Sequence, residues 1–183
     1  MAMRHSLTRD DLKALMAELA RSAPNNKSHR VYFVGGGTAV YLGWRESTID
    51  ADLHADDESV FRDIQAIKER LDINIEFAQP EQFVPPLAGT ANRHAYIETI
   101  EKVSFYHYDP YAQLLSKVVR GFRRDLADAA ALVETRMVDL EQFKALVEAI
   151  PVSTYAKYPR LSPAAVREAV DAFVREMGRF EAH

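Results

Sequence analysis

The residues best equipped for chemistry fall in one run, Val34 to His54, VGGGTAVYLGWRESTIDADLH. Asp50 and Asp52 stand two apart there, and on a strand such residues point to the same face while Ile49, Ala51 and Leu53 turn to the core. Two carboxylates side by side repel unless a cation lies between them, and their hard oxygens suit Mg²⁺ or Mn²⁺. An isolated Asp-x-Asp also describes a strand face with two solvated acids, so the pair is informative only in company.

That company is present on both sides. Upstream, Gly35, Gly36 and Gly37 follow an apolar strand and precede a short helix. Glycines let the backbone approach a ligand closely, and the N-terminus of a helix favours a phosphate. Gly36, Gly37 and the Thr38 hydroxyl are therefore candidate phosphate contacts, although packing alone also explains glycine-rich turns. Downstream, Asp72 to Phe77 (DINIEF) alternates, with Ile73, Ile75 and Phe77 one way and Asp72, Asn74 and Glu76 the other. If this strand neighbours the Asp50–Asp52 strand, Glu76 or Asp72 joins the acids, and Glu76 lies deeper in the apolar stretch. A third carboxylate there can serve as general base for a hydroxyl attacking an α-phosphate. Arg45, just after the short helix, can contact phosphate or hold the carboxylates.

The elements that must position these groups are legible from periodicity. Thr8 caps a helix over 8–22, with Leu12, Leu15, Met16 and Leu19 on one face. His29 to Val34 (HRVYFV) reads as a strand, Thr38 to Trp44 as a short buried helix, and Ile49 to Leu53 as a strand. Asp57 is expected to cap a helix running to Leu71. After the DINIEF strand, Pro80, Pro85 and Pro86 mark a loop. Ala95 to Ile100 and Val103 to Tyr108 form an expected hairpin. From Asp109-Pro110 onward the pattern is helical, over 110–120, 123–135, 139–149 and 163–180. The predicted fold class is α+β: a small mixed or antiparallel sheet flanked by helices, followed by a C-terminal helical region. The expected organisation is an α/β core over 1–108 with a helical region over 109–183 packed on it.

Val34-Gly35-Gly36-Gly37-Thr38-Ala39, then Arg45, Ser47-Thr48 and Asp50-x-Asp52, resembles the polymerase-β-like nucleotidyltransferases. It is most similar to the branch that includes abortive-infection toxins of bacterial toxin–antitoxin systems. The resemblance implies a nucleotidyltransferase sheet, a bound nucleoside triphosphate, and Asp50 and Asp52 as ligands of Mg²⁺ or Mn²⁺. It implies a third acid from the following strand, a role that falls on Glu76, and phosphate contacts from the stretch that holds Arg45 and Ser47. It further implies that Lys117 reaches the triphosphate and that Arg124 and Asp125 help build the site. The bland alternative for the last group is a helix ion pair between Arg124 and Asp128, worth about 0.3–0.5 kcal/mol.

Composition narrows the setting. No cysteine occurs, which excludes disulfides and thiol chemistry. With 23 basic and 27 acidic residues the net charge is −4, so broad charge-driven binding of nucleic acid is disfavoured. The N-terminal Met-Ala-Met-Arg-His lacks the apolar stretch of a signal peptide, and no apolar run is long enough to span a bilayer. A cytoplasmic protein with no membrane partner is expected. An RNA or tRNA acceptor would need a basic path, for which Arg93, Lys102, Arg120, Arg123 and Arg124 are the candidates. Three functions follow: transfer of a nucleotide to a hydroxyl, as in a toxin with an antitoxin protein as partner; a degenerate nucleotide-binding module; or an enzyme modifying a cationic antibiotic. His54 and His107 read as bystanders, His107 among aromatics that fill the seam beside the sheet.

Overall fold

The computed structural model describes residues 4–182; the opening Met-Ala-Met, on which the signal-peptide reading begins, lies outside them. The elements are α1 (Arg9–Ser22), β1 (His29–Val34), α2 (Gly35–Tyr41), β2 (Asp50–Ala55), α3 (Ile64–Leu71), β3 (Asn74–Phe77), β4 (Ala95–Ile100) and β5 (Val103–His107). Four further helices follow, α4 (Pro110–Arg120), α5 (Arg123–Glu134), α6 (Leu140–Glu148) and α7 (Pro163–Glu181). The chain divides into two compact units. One runs to Gln79 and resumes over His94–Tyr108; the other comprises Pro80–Arg93 and the chain from Asp109 onward.

The first unit is built on a five-stranded mixed sheet of order β3-β2-β1-β5-β4. β1 runs antiparallel to β2 and parallel to β5, β2 parallel to β3, and β4 antiparallel to β5. Strict alternation decides which face is covered. Ala51, Leu53, Ile73, Ile75, Val31, Phe33, Val103 and Phe105 point to one side and are buried there with Leu12, Leu15, Met16 and Leu19 of α1 and Ile67 of α3. Thr8 caps α1 through a reciprocal box with Asp11, as its sequence signature requires.

Four local features depart from the expected elements. The short helix starts at Gly35, not Thr38, so the glycines form its first turn. Asp57 caps only a 3₁₀ turn over Glu58–Phe61, and the α-helix proper begins at Ile64. Asp72 is not on a strand: it closes α3 in the left-handed conformation, at φ 55°. Phe77, expected in the core, is 53% exposed because β3 is an edge strand; its ring rests against Phe61 instead, with centroids 4.8 Å apart.

In the second unit Asp109 caps α4 through the Tyr111 amide and Pro110 occupies the first turn. Arg93 grips the same carboxylate, Nη2 to Oδ2 at 2.7 Å and Nε to Oδ1 at 3.2 Å, and Asp109 is completely buried. That fork anchors the 80–93 segment to the start of α4. Ser162 caps α7, whose Val166, Val170, Phe173 and Met177 are buried at helical spacing. Among the described residues no helix is long and apolar enough to cross a membrane.

Candidate nucleotide-binding face

The face of the sheet opposite the apolar core carries the acids. Asp50 and Asp52 alternate with buried Ala51 and Leu53, and both are half-buried. β3 pairs with β2 in a register that sets Glu76 directly opposite Asp52 and Asn74 opposite Asp50. Paired residues project to the same side, so Asp50, Asp52 and Glu76 share one face, with Glu76 exposed. Asp72 is elsewhere: at the end of α3 it faces His5, Oδ2 to Nδ1 at 3.6 Å. Of the two acids that could complete the group, Glu76 is the one the sheet places there.

The glycine turn abuts this face through one residue in particular. Val34 is the register partner of Asp52, and the chain turns into α2 immediately after it. Gly35 takes φ 54°, a conformation that side chains disfavour, and a Cβ on it would lie 2.8 Å from Oδ2 of Asp52. A Cβ on Gly36 would strike the Thr48 hydroxyl at 2.4 Å and approach Nη1 of Arg45 at 3.5 Å. Gly37 faces the Phe33 ring. The glycine beside the acids is thus Gly35, one position before the expected pair, while Gly36 leaves room for Thr48 and Arg45.

Thr38 points inward. It is 1% exposed and donates its hydroxyl hydrogen to the Phe33 carbonyl at 3.2 Å. Its oxygen lies 3.0 Å from Nδ1 of His107. With the hydroxyl hydrogen directed to the carbonyl, Nδ1 carries the proton and Nε2, buried without a partner, keeps its lone pair. Burial alone pushes the His107 imidazole down to about 4, so the ring is neutral. Arg45 is half-buried and Ser47 exposed, both on the loop joining α2 to β2. Thr48 ties that loop down, bridging to Leu7 and donating its hydroxyl to the Asp50 carbonyl at 3.1 Å.

The second unit holds Lys117. It is buried on α4 and donates to Oδ2 of Asp128 at 2.8 Å, a carboxylate that is itself 3% exposed. Asp128, read from sequence as a partner for Arg124, is engaged by Lys117. Asp125 is also buried, with Nε of Arg120 at 3.5 Å from its Oδ2. Three of the cations proposed for a basic path are already committed: Arg93 to Asp109, Lys102 to the Asn25 carbonyl and Arg120 to Asp125.

Acid alternation hid a second row on the same face. His54, Tyr32, Tyr106 and Tyr96 are mutual register partners across β2, β1, β5 and β4. Consecutive ring centroids are 5.7, 5.6 and 5.5 Å apart. Tyr32 is buried, with His94 and Tyr108 against it at 4.4 and 5.9 Å. Burial, reinforced by a hydrogen bond to the Asp56 carboxylate, pushes its phenol up to about 12. Burial also lowers the His54 imidazole below its ordinary value. The signal was available in the alternation of HRVYFV against DADLH, where the non-core parity carries rings as well as acids.

The donor set suits a hard divalent ion. Mg²⁺ usually takes one or two protein carboxylates, completing its shell with waters and substrate phosphate, and needs no closed protein cage. Asp50 and Asp52 supply that number. Among the described residues no group of three or more His, Cys, Asp or Glu side chains is placed to hold a metal ion by itself.

The acid face thus stands at the end of a glycine turn, on a small mixed sheet backed by helices. The chain belongs to the family described as nucleotidyltransferase of unknown function (DUF6036), whose model matches residues 10–169. No curated protein and no solved structure matches it.

Proposed function

We propose that this chain transfers a nucleoside monophosphate from a Mg²⁺-bound nucleoside triphosphate to a hydroxyl, releasing pyrophosphate. The observation that carries the reading is the register of β2 and β3, which sets Asp52 beside Glu76 on the face where Gly35 makes room for the Asp52 carboxylate. Asp50 and Asp52 would hold the ion, which when bound neutralises charge on the triphosphate. Phosphate contacts would come from the backbone of the glycine turn and from Arg45 and Ser47 on the adjoining loop. Glu76 accepts the proton of the acceptor hydroxyl. The new bond joins that oxygen to the α-phosphorus, and the bond from the α-phosphorus to its bridging oxygen breaks, so pyrophosphate leaves. Positioning and charge neutralisation are most of what such a transfer asks of a protein.

The resemblance of the Arg45–Asp52 stretch to abortive-infection toxins extends the reading to an RNA acceptor in the cell, with a separately encoded antitoxin as partner. Growth arrest on expression, relieved by Asp52→Ala, is the matching cellular outcome. A second reading, nucleotide binding without turnover, draws on the exposure of Glu76 on a four-residue edge strand.

One experiment separates them. Purified protein is offered each labelled triphosphate with Mg²⁺ and a pool of RNA, beside Asp50→Ala and Asp52→Ala. The transferase reading expects label incorporated by the wild type and by neither variant, with both variants folded by circular dichroism. Normal incorporation by either variant removes the acids from the reaction. Binding without incorporation selects the second reading.

A further inference from the structure

The aromatic row is closed at its centre and open at one end. Tyr32 is 2% exposed, whereas Tyr96, on the edge strand β4, is 61% exposed. Tyr106 stands between them, half-buried, with the Arg30 guanidinium carbon 5.5 Å from its ring centroid. A bulge between Tyr96 and Glu98 brings Thr99 back to the open face, where it pairs with Ser104. Tyr96, Thr99 and Ser104 then form a hydroxyl chain with O···O distances of 2.9 and 2.8 Å. This holds the Tyr96 ring in place at the surface. The bulge therefore orders a large ring that gains nothing from exposure to water.

The row runs parallel to the acid row, two residues along the strands, or about 7 Å away. Tyr106 is two strands beyond His54, roughly 10 Å across the sheet. Flat rings and a guanidinium plane, fixed within one nucleotide's reach of an acid face, suit a nucleobase. Every base offers a π-face to such rings, and arginine adds a cation–π contribution. The open end of the row consists of rings, hydroxyls and one cation with no aliphatic side chain among them, unlike the apolar centre of a subunit interface.

We propose that Tyr96 and Tyr106, with Arg30, form a stacking platform for a nucleobase. The proposal rests on the nucleotidyl-transfer reading of the acid face. The base can come from the donor triphosphate or from the end of a single-stranded acceptor; both present the same surface to the rings.

The test compares wild type with Tyr96→Ala, Tyr96→Phe and Arg30→Ala in two binding assays. One follows fluorescence anisotropy of a labelled, unstructured RNA oligonucleotide. The other follows a fluorescent ATP analogue with Mg²⁺. Tyr96 is mostly exposed, so its replacement leaves the core intact, and Tyr96→Phe keeps the ring while removing the hydroxyl. The platform predicts that Tyr96→Ala weakens at least one probe about ten- to hundredfold, as loss of one stacking ring does. Tyr96→Phe should stay within about threefold and Arg30→Ala fall between the two, on the same stacking scale. Loss confined to the oligonucleotide assigns the base to the acceptor; loss confined to the ATP analogue assigns it to the donor.

The proposal is overturned if wild type binds neither probe, or if Tyr96→Ala binds both as wild type does. It is equally overturned if wild type sediments as a dimer that Tyr96→Ala dissociates, because the rings would then be a contact between copies. Asp52→Ala in the incorporation assay is the control for the underlying reading. Loss of incorporation there with unchanged Tyr96→Ala binding removes the platform and leaves the transfer reading standing.

Discussion

Gly35 and Asp52 exclude any side chain from the space between them: a Cβ at position 35 would lie 2.8 Å from the Asp52 carboxylate oxygen. Two constraints coincide at this glycine, the steric one and a φ of 54°. Gly35→Ala should therefore act twice, costing about 1 kcal/mol through the left-handed backbone and displacing the carboxylate. A reacting group misplaced by about 1 Å can lose about a hundredfold in rate. Incorporation should fall by that order while the melting temperature drops only a few degrees. An alanine variant with full activity would mean that Asp52 tolerates displacement and is not a ligand.

Glu76 and Asp72 are separated by the end of α3, and their substitutions should differ accordingly. Removing a general base costs about 10²–10⁴-fold. Glu76→Gln should show a loss in that range in kcat, with triphosphate binding retained. Asp72→Asn, at a helix terminus facing His5, should incorporate label at the wild-type rate. Equal rates for the two variants would remove Glu76 from the role of base.

Lys117 and Asp128 present a buried charge pair whose loss on one side only should be severe. Breaking such a pair typically costs about 3–5 kcal/mol, whereas replacing both partners with apolar residues is often close to neutral. Urea denaturation should place Lys117→Met and Asp128→Leu well below wild type, and the double variant near it. Incorporation by the restored double variant then tests the role that family resemblance gives Lys117. A stable protein without activity keeps the lysine in the site, and full activity makes it a structural residue.

His107 predicts a pH dependence of stability. Its folded pKa of about 4 lies below the ordinary 6.5, so between these values the unfolded chain binds the extra proton. Stability from this group is complete above about pH 6.5 and is lost as pH falls toward 4. The full difference is about 3 kcal/mol, at 1.36 kcal/mol for each pH unit. His107→Gln removes that titration, so the gap between its stability and that of wild type should shrink as the solution is acidified. A gap independent of pH between 7 and 4.5 would show that the imidazole is not buried neutral.

Where a single strong pattern governed an element, its sequence was sufficient. The alternation in DADLH and NIEF placed the acids on one face, and the capping residues Thr8 and Asp109 marked helix starts that the structure retains. Positions governed by two competing patterns were not legible. Asp72 continued the alternation of DINIEF, yet it closes α3 in a left-handed turn before the strand begins. Three glycines in a row hid the register of their turn. Because α2 starts at Gly35, Thr38 completes the first helical turn and its hydroxyl meets the Phe33 carbonyl and His107. Phe77 looked like core by parity, but only strand order reveals that β3 has no neighbour on its outer side. The aromatic row depends on four strands in mutual register, information that no single segment contains.

The fork between Arg93 and Asp109 has a consequence for how this polypeptide can be divided. Residues 80–93 cluster with the helices, yet both ends of that stretch lead to strands of the sheet, so the backbone passes from one unit to the other three times. A truncation after Tyr108 would leave the guanidinium of Arg93 with its carboxylate on the discarded fragment. Neither half is a contiguous cassette, and no single breakpoint leaves both whole.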